Sequence, residues 1–158
     1  MDIASDPLRD DEKRFIDDIA ALMAPWGFAP SVGRVYAYLI LRQARVSIDE
    51  IASALHMSRA GAWNAARHLE TFEHVKRFGS IGSKRALYAI SDNYSSPMRE
   101  QTKLLGELGR LLQDCAANVA SKEAAGGLAE RAGFLLALRS AMDAVIEELT
   151  ANRSREVA

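Results

Sequence analysis

The chain has few of the residues and segments that mark secreted, membrane or disulfide-stabilised proteins. Its 158 residues include a single cysteine, so no disulfide can form within the chain. It has no apolar run of the roughly 18 residues that a transmembrane helix needs. Its acidic N-terminus lacks the basic and apolar segments of a signal peptide. These features predict a cytoplasmic protein.

Residues that break helices are also scarce. There are 4 prolines and 10 glycines, whereas alanine and leucine are frequent, which favours helices. Hydrophobic residues make up 49% and charged residues 26% of the chain, a balance typical of a globular protein that can bury a core. We therefore expect a globular, mainly α-helical chain.

The sequence lacks the patterns of known catalytic and metal sites. It has no nucleophile elbow and no phosphate-binding loop. The spacings of His56, His68 and His74 do not place two of them on one helical face, as a helical metal site would require. Cys115 lies among leucines of a predicted helix, so we expect a buried, inert thiol. The protein is therefore predicted to be neither an enzyme nor a binder of a metal or cofactor.

Positive charge is concentrated in the middle of the chain. Residues 31–90 contain nine Lys or Arg and four Asp or Glu, a net charge of +5, between segments of −4 (1–30) and −2 (91–158). A basic centre between acidic flanks is typical of a nucleic-acid-binding unit in a soluble chain. Charge alone is equally compatible with chance variation along the sequence.

A helix-turn-helix is predicted inside this basic segment. Ser47 and Glu50 form a capping box at the start of a short helix, 48–55, and Ser58 is the N-cap of a second helix, 59–72. After this helix the spacing of apolar residues changes toward a period of two, which predicts strands at 75–78 and 86–90 joined by a glycine-containing turn at 79–83. A basic hairpin after a helix-turn-helix is typical of a winged helix-turn-helix.

Apolar stripes at helical spacing predict further helices on both sides. One begins at Asp6-Pro7, another covers 30–43, and two more cover about 98–119 and 128–151, separated by a glycine break at 125–127. The stripes of the outer helices exceed what one small lobe can cover, which indicates a homodimer. The predicted domains are an N-terminal dimerisation helix (1–29), a winged helix-turn-helix (30–95) and C-terminal dimerisation helices (96–158).

The second helix of the pair carries an exposed stripe suited to the major groove. Ala60, Trp63, Asn64 and Arg67 recur at i, i+3, i+4 and i+7. Asparagine can read adenine and arginine can read guanine by paired hydrogen bonds, and Arg59 in the first turn can reach a phosphate or a base edge. The alternative is an ordinary amphipathic helix with a solvated face.

The hairpin provides a second candidate DNA contact. Four cations flank its tip, and a wing of this kind can lie along phosphates or enter the minor groove. The alternative is a sheet edge that charge protects from aggregation. The residues predicted to contact DNA are Ser58, Arg59, Ala60, Trp63, Asn64, Arg67, Lys76, Arg77, Lys84 and Arg85.

Residues 15–95 resemble the MarR-like regulators, and most closely their GbsR branch. The matching stretches are Trp26 to Leu41, Ser47 to Leu55 and Met57 to Arg59, and the most specific motif is Gly33-Arg34-Val35-Tyr36. The sequence departs from the family where Trp63 replaces a small polar residue and Glu73 replaces a glycine, and in the wing tip, Gly82-Ser83-Lys84. The resemblance implies a homodimer that binds operator DNA and, in many relatives, responds to a small ligand.

Aromatic residues at the expected junction of the DNA-reading lobe and the dimerisation helices provide material for an effector site. Such rings could enclose an apolar ligand or hold a quaternary ammonium by cation–π attraction. The alternative, which their residue types favour, is that they are ordinary core residues. The candidate effector residues are Trp26, Phe28, Tyr36 and Phe134. The sequence thus predicts a DNA-binding transcriptional regulator and repressor, and the alternatives are a winged helix that binds protein or RNA.

Overall fold

The computed structural model describes residues 7–79 and 85–156, which fall into two compact units, Met1–Asn93 and Tyr94–Ala158. The predicted wing residue Lys84 lies outside the described residues. The α-helices and strands of the first unit are α1 (Asp10–Met23), α2 (Pro30–Arg42), β1 (Val46–Ser47), α3 (Ile48–Ala54), α4 (Arg59–Thr71), β2 (Val75–Phe78) and β3 (Leu87–Ile90), and a short 3-10 helix covers Ala24–Trp26. Those of the second are α5 (Ser95–Asn118) and α6 (Lys122–Glu156).

The core of the first unit forms where α1, α3 and α4 pack around α2 and the sheet. α2 is buried along most of its length because its apolar positions cover more than one helical face. On α4, which packs against α2, one side is buried and consists of Ala62, Ala65, Ala66 and Leu69. The largest fully buried side chains include Ile16, Tyr38, Leu39, Ile51, Leu55, Leu69 and Tyr88.

The sheet has three antiparallel strands in the order β1-β3-β2, so the predicted pairing of β2 with β3 is confirmed and one strand was missed. Most of the predicted turn at 79–83 lies outside the described residues. In β1, Val46 pairs with Tyr88 and Ser47 pairs with Leu87. A strand of two residues is too short to show a period-two pattern in the sequence. It forms because β3 offers a free edge beside the N-terminus of α3.

The helix-turn-helix is confirmed, and its two helices end in the same way. The capping box of α3 is present: the Ser47 N–H donates to Glu50 Oε2 at 2.6 Å, and the Glu50 N–H donates to Ser47 Oγ at 3.2 Å. Each helix then closes with a Schellman motif. The residue beyond the C-cap is left-handed in both, with φ of 51° at His56 and 58° at Glu73.

The start of α1 differs from the prediction at Asp6-Pro7. The helix begins at Asp10, and Arg9 is its N-cap. The Arg9 N–H donates to the Glu12 carboxylate at 2.8 Å. Asp6 itself lies outside the described residues. Three acidic residues in the first turn, at 10–12, favour a helix N-terminus here because they oppose the positive end of the helix dipole.

The predicted helix break at 125–127 is wrong. These residues lie inside α6, and the chain turns earlier, at 119–121. Ser121 caps the new helix, since its Oγ accepts from the Ala124 N–H at 3.3 Å. Packing of α6 along α5 offsets the roughly 1 kcal/mol that each helical glycine costs. The helix α5 also begins earlier than predicted, at Ser95 instead of Met98.

Small and polar residues join α5 to α6. The opposed pairs are Thr102 with Asp143, Gly106 with Arg139, and Gly109 with Leu136, an order that makes the two helices antiparallel. The Thr102 hydroxyl donates to Asp143 Oδ1 at 2.7 Å. This hydrogen bond and the neighbouring Arg139 hold the pKa of the Asp143 carboxyl below its usual range, against an opposing effect of desolvation.

The leucine spacing of α5 predicts that these side chains point into the protein. Instead Leu104, Leu108 and Leu111 are exposed and form a stripe that faces away from α6. The small residues Gly106 and Gly109 occupy the buried face instead. Cys115 is also exposed, so the expectation of a buried thiol is wrong for this chain. The exposed large apolar residues of this unit are Tyr94, Leu104, Leu108, Leu111, Val119, Phe134, Leu138, Val145 and Leu149.

Candidate nucleic-acid interface

The exposed face of α4 is the one that its sequence period indicates. Ala62, Ala65, Ala66 and Leu69 are buried in the core. The opposite face presents side chains to solvent, and the Trp63 side chain remains 49% exposed despite its size. The residues of this exposed face are Ala60, Trp63, Asn64 and Arg67.

The N-terminus of α4 is fixed by its cap. Ser58 Oγ accepts from the Gly61 N–H at 3.0 Å, as expected of an N-cap serine. The first turn of α4 contains no acidic residue, so its partial positive charge is not cancelled within the helix. Free backbone N–H groups and this charge favour an anion at the helix start.

Each arginine of α4 is paired with a carboxylate, which the sequence pattern did not show. Arg59 Nε donates to Asp49 Oδ1 of α3 at 2.7 Å. Arg67 Nη1 donates to Glu70 Oε2 at 3.1 Å, and its guanidinium lies 5.8 Å from the centre of the Trp63 ring. The stripe itself contains no acid, but two acids adjoin it and orient its cations.

The cations of the wing differ in their partners. Lys76 Nζ lies 3.7 Å from the Asp92 carboxylate. Arg77 is exposed, and no carboxylate within the described ranges lies in ion-pair distance of it. Arg85 is also exposed and lies two residues before the start of β3. The exposed guanidinium of Arg77 can therefore meet a phosphate at the surface of the wing.

Sequence reasoning missed one cation at the base of the wing. Arg45 precedes β1, and its guanidinium lies 3.8 Å from the centre of the Phe78 ring at the end of β2. The residue is exposed and held over this ring by cation–π attraction. No local signal places Arg45 there, because the contact depends on β1 joining the sheet.

An open cleft of about 580 Å³ separates α4 from the wing. Three arginines and Trp63 line it, together with the Asp49 carboxylate. The arginines come from α4, from β2 and from the segment before β3, and they are Arg59, Arg77 and Arg85. The fold therefore brings the cations of the recognition helix and of the wing to one concave surface, where their potentials add.

Two of the four candidate effector residues lie in one cluster of rings. Phe28 contacts His68 at 5.7 Å and His74 at 6.5 Å between ring centres, and Tyr36 contacts His74 at 5.5 Å. Burial lowers the pKa of His74, and the neighbouring His68 lowers it further. Trp26 is 74% exposed and makes no ring contact within the described residues.

Phe134 lies exposed on α6 in the second unit. Across residues 7–79 and 85–156, no group of three or more His, Cys, Asp or Glu side chains is arranged to hold a metal ion. Within the same ranges, no helix is both long and apolar enough to cross a membrane.

Comparisons with known proteins yield structural matches only. No protein-family model matches the chain, and no curated protein sequence matches it. A crystal structure described as a transcriptional regulator aligns with a TM-score of 0.80 at 21% identity, covering 89% of this chain and 99% of that one.

Two of the weaker structural matches are proteins bound to DNA. A MepR variant from S. aureus bound to an oligodeoxyribonucleotide has a TM-score of 0.42 at 18% identity, covering 81% of this chain and 90% of that one. A MarR variant from E. coli complexed with operator DNA has a TM-score of 0.39 at 14% identity, covering 73% and 79%. The fold assignment depends on the first match: this chain is a mainly helical winged helix-turn-helix with the fold of a solved transcriptional regulator.

Proposed function

We propose that the protein is a sequence-specific DNA-binding transcriptional regulator that acts as a repressor. The observation that carries the proposal is the concave cationic surface formed by α4 and the wing. An isolated amphipathic helix would explain the exposed stripe, but it would not explain three arginines converging on one cleft beside that stripe. The fold of the first structural match is consistent with this role.

In this proposal α4 enters the major groove, with its N-terminal turns toward the bases, and the wing lies on the backbone or in the minor groove. Asn64 is exposed in the second turn and can bond the N6 and N7 atoms of adenine. Arg67 lies one turn further and retains Nε and Nη2 donors beside its bond to Glu70. Both residues would read bases, whereas the wing arginines would contact phosphates.

The test begins with selection of a preferred site from a random-sequence duplex library, followed by binding measurements on that site and on random DNA. Asn64→Ala and Arg67→Ala should each cost about 1–3 kcal/mol on the selected site and much less on random DNA. Equal losses on both DNAs would place these residues among phosphate contacts. Failure of the wild-type protein to enrich any duplex would refute the proposed function.

We further propose that the protein binds DNA as a homodimer joined by the second unit. Leu104, Leu108 and Leu111 recur along one face of α5 and are exposed. On α6, Leu138 and Val145 are seven residues apart and exposed as well. An apolar surface of this extent is unusual on a monomer, and a second copy with the same stripes would cover it symmetrically.

Light scattering tests the dimer. Leu138→Glu combined with Val145→Glu should give monomers and abolish binding to the selected site, because one lobe loses the contacts of the second half-site. Ser140→Glu places a charge on another side of α6 and should leave the dimer intact. A wild-type monomer at micromolar concentration would contradict this part of the proposal.

The finer proposal, suggested by the resemblance to GbsR-like regulators, is release from DNA by an apolar or quaternary-ammonium ligand. The ring cluster of Phe28 and Tyr36 supports it, because aromatic faces attract such cations. A ligand that binds the DNA-competent form less well should weaken the complex about 5- to 150-fold. Titration of choline, betaine and apolar compounds into the DNA complex, with Trp26→Ala and Phe134→Ala in parallel, measures this effect.

Alternative functions for a winged helix are binding to protein or to RNA. No described acid lies within the exposed stripe of α4, which favours nucleic acid over a protein partner. Competition by single-stranded and double-stranded RNA in the same binding assay separates the RNA alternative from the DNA one. Preference for RNA would replace the proposed function.

A further inference from the structure

The ion pair between Asp49 and Arg59 is the shortest side-chain contact across the helix-turn-helix among the described residues. Arg59 Nε lies 2.7 Å from Asp49 Oδ1, and the two residues occupy the first turns of α4 and α3. The side chains are 73% and 53% exposed. Exposed ion pairs contribute little to folding stability because water screens them, so stability does not account for the pair by itself.

The geometry of the pair leaves Arg59 with a defined set of free donors. A guanidinium carries five N–H groups, one on Nε and four on the two Nη atoms. Asp49 accepts from Nε, so the outer end of the fork retains both Nη groups. Guanine presents two acceptors, O6 and N7, side by side in the major groove, and the two Nη groups of one arginine can bond both.

The charge of Asp49 favours a base over a phosphate as the partner of Arg59. A carboxylate close to the guanidinium repels a phosphate that approaches it, whereas the edge of a guanine carries no net charge. The same carboxylate holds the guanidinium in one orientation, which reduces the entropy lost when paired bonds form. Arg77 on the wing has no such carboxylate within the described residues and suits a phosphate contact.

We propose that Asp49 is a positioning and specificity-determining residue that commits Arg59 to a guanine edge and prevents it from contacting phosphates indiscriminately. The inference rests on the proposed DNA-binding function and deepens it. It assigns the role to a residue of α3, outside the recognition helix, that sequence spacing alone did not single out. Asp49 lies ten residues before Arg59, and only the turn at 55–58 brings the two together.

A purely structural role makes a different prediction. Asp49 lies in the first turn of α3, where a negative charge also stabilises the helix N-terminus. If this were its whole role, Asp49→Asn would lower the urea midpoint slightly and weaken binding to all DNAs by the same factor. If Asp49 directs Arg59, the variant instead binds random DNA more tightly, because a repulsive charge is gone, and discriminates less.

The experiment measures the ratio of affinities for the selected site and for random duplex DNA. Asp49→Asn preserves the size and an oxygen acceptor for Arg59 Nε but removes the charge. We expect the ratio to fall about five- to tenfold, the lower part of the range for one paired base contact. We also expect the salt slope on random DNA to steepen by about one, since Arg59 becomes available to a phosphate.

Two controls isolate the mechanism. In an Arg59→Ala background, Asp49→Asn should leave the ratio unchanged, because the residue through which it acts is gone. Asp17→Asn removes an equal charge from α1, where Asp17 lies 3.5 Å from Arg34, and should leave the ratio unchanged in the wild-type background.

The outcomes separate this inference from the proposed function. If the wild-type protein prefers its selected site and Asp49→Asn has the same ratio of affinities for the selected site and for random DNA, the inference is wrong and the proposed function stands. The inference is also wrong if Asp49→Asn lowers this affinity ratio by the same factor in the Arg59→Ala background as in the wild-type background. If the wild-type protein shows no preference for any duplex, both fall together.

Discussion

Gly33 lies directly against the backbone of Ala20 where α2 crosses α1. A Cβ atom added at Gly33 would lie 2.7 Å from Ala20 Cα and 3.2 Å from Ala20 Cβ. The first distance is too short for two carbon atoms and involves backbone, which cannot rotate away as a side chain can. The Gly33-Arg34-Val35-Tyr36 motif therefore has a packing reason for its glycine: it lets the two helices approach closely.

Gly33→Ala should destabilise the protein by about 1–2 kcal/mol. Overpacking of a core contact costs about 1–3 kcal/mol, and the better helix propensity of alanine returns up to about 1 kcal/mol. Urea unfolding monitored by circular dichroism measures the change. Gly133→Ala is the control, since Gly133 is helical and open to solvent, and it should be neutral or stabilising. A stabilised Gly33→Ala variant would contradict the close approach.

Glu73→Gly should stabilise the end of α4. Glu73 adopts φ of 58°, and its N–H donates to Glu70 O at 3.0 Å while the His74 N–H donates to Leu69 O at 2.9 Å. This is a Schellman motif with a side chain at the position that glycine prefers. Relief of the left-handed strain, partly offset by the flexibility of glycine when unfolded, should yield about 0.5–1 kcal/mol.

The matched control for this prediction is Glu73→Ala, which removes the same carboxylate but keeps a Cβ atom in the left-handed conformation. Its free energy of unfolding should stay below that of Glu73→Gly by about 1 kcal/mol. Equal stabilities of the two variants would show that strain at this position is negligible.

The stability of the first unit should fall as the pH drops below about 6.5. Burial lowers the pKa of His74 in the folded protein, so the unfolded chain takes up a proton at a higher pH than the folded one. The free energy of unfolding is then highest above the unfolded pKa and decreases as the pH falls toward the folded pKa. Urea unfolding at a series of pH values measures this slope.

His74→Phe preserves an aromatic ring against Phe28 and Tyr36. In this variant the free energy of unfolding should change less with pH between the folded-state and unfolded-state pKa values of His74. His68→Gln removes the second cause of the shift and should raise the pKa of His74 toward its ordinary value. The slope should then become shallower without disappearing. An unaltered slope in His74→Phe would assign the acid sensitivity to other groups.

Arg77→Ala should weaken binding to all DNA sequences and lower the salt slope by about one, as expected when one phosphate contact is lost. Lys76→Ala is the matched control, because the neighbouring Lys76 is already paired with Asp92 and should contribute less. Fluorescence anisotropy at several salt concentrations provides both slopes. Identical slopes for wild type and Arg77→Ala would remove β2 from the DNA interface.

Local signals in the sequence were sufficient for the helix-turn-helix. The capping box of Ser47 and Glu50 and the cap at Ser58 involve residues three apart, and both lie where the sequence predicts them. The buried and exposed faces of α4 also follow from its period alone. Interactions within one turn of helix depend on little besides the residues themselves, so the sequence is enough to locate them.

Signals that compete with long-range packing were misread. Gly126 and Gly127 cost helix stability locally, yet they lie inside α6, a helix that packs along α5. The leucine stripe of α5 marks an apolar face correctly, but its direction depends on Gly106 and Gly109, which let α6 pack on the other side. A periodic pattern identifies a face without identifying what covers it.

Caps and periodic spacing in the sequence are sufficient to predict the helix-turn-helix, the two hairpin strands and the face of α4 that meets solvent, because each of these depends on residues close together in the chain. Three contacts become visible only in the folded chain: the pairing of β1 with β3, the bond of Arg59 to Asp49, and the contacts of His68 and His74 with Phe28. Each of these contacts joins residues distant in the chain. Their formation depends on how helices and strands pack together. This packing balances the burial of apolar surface against the loss of chain entropy, and it cannot be predicted from a short segment of sequence.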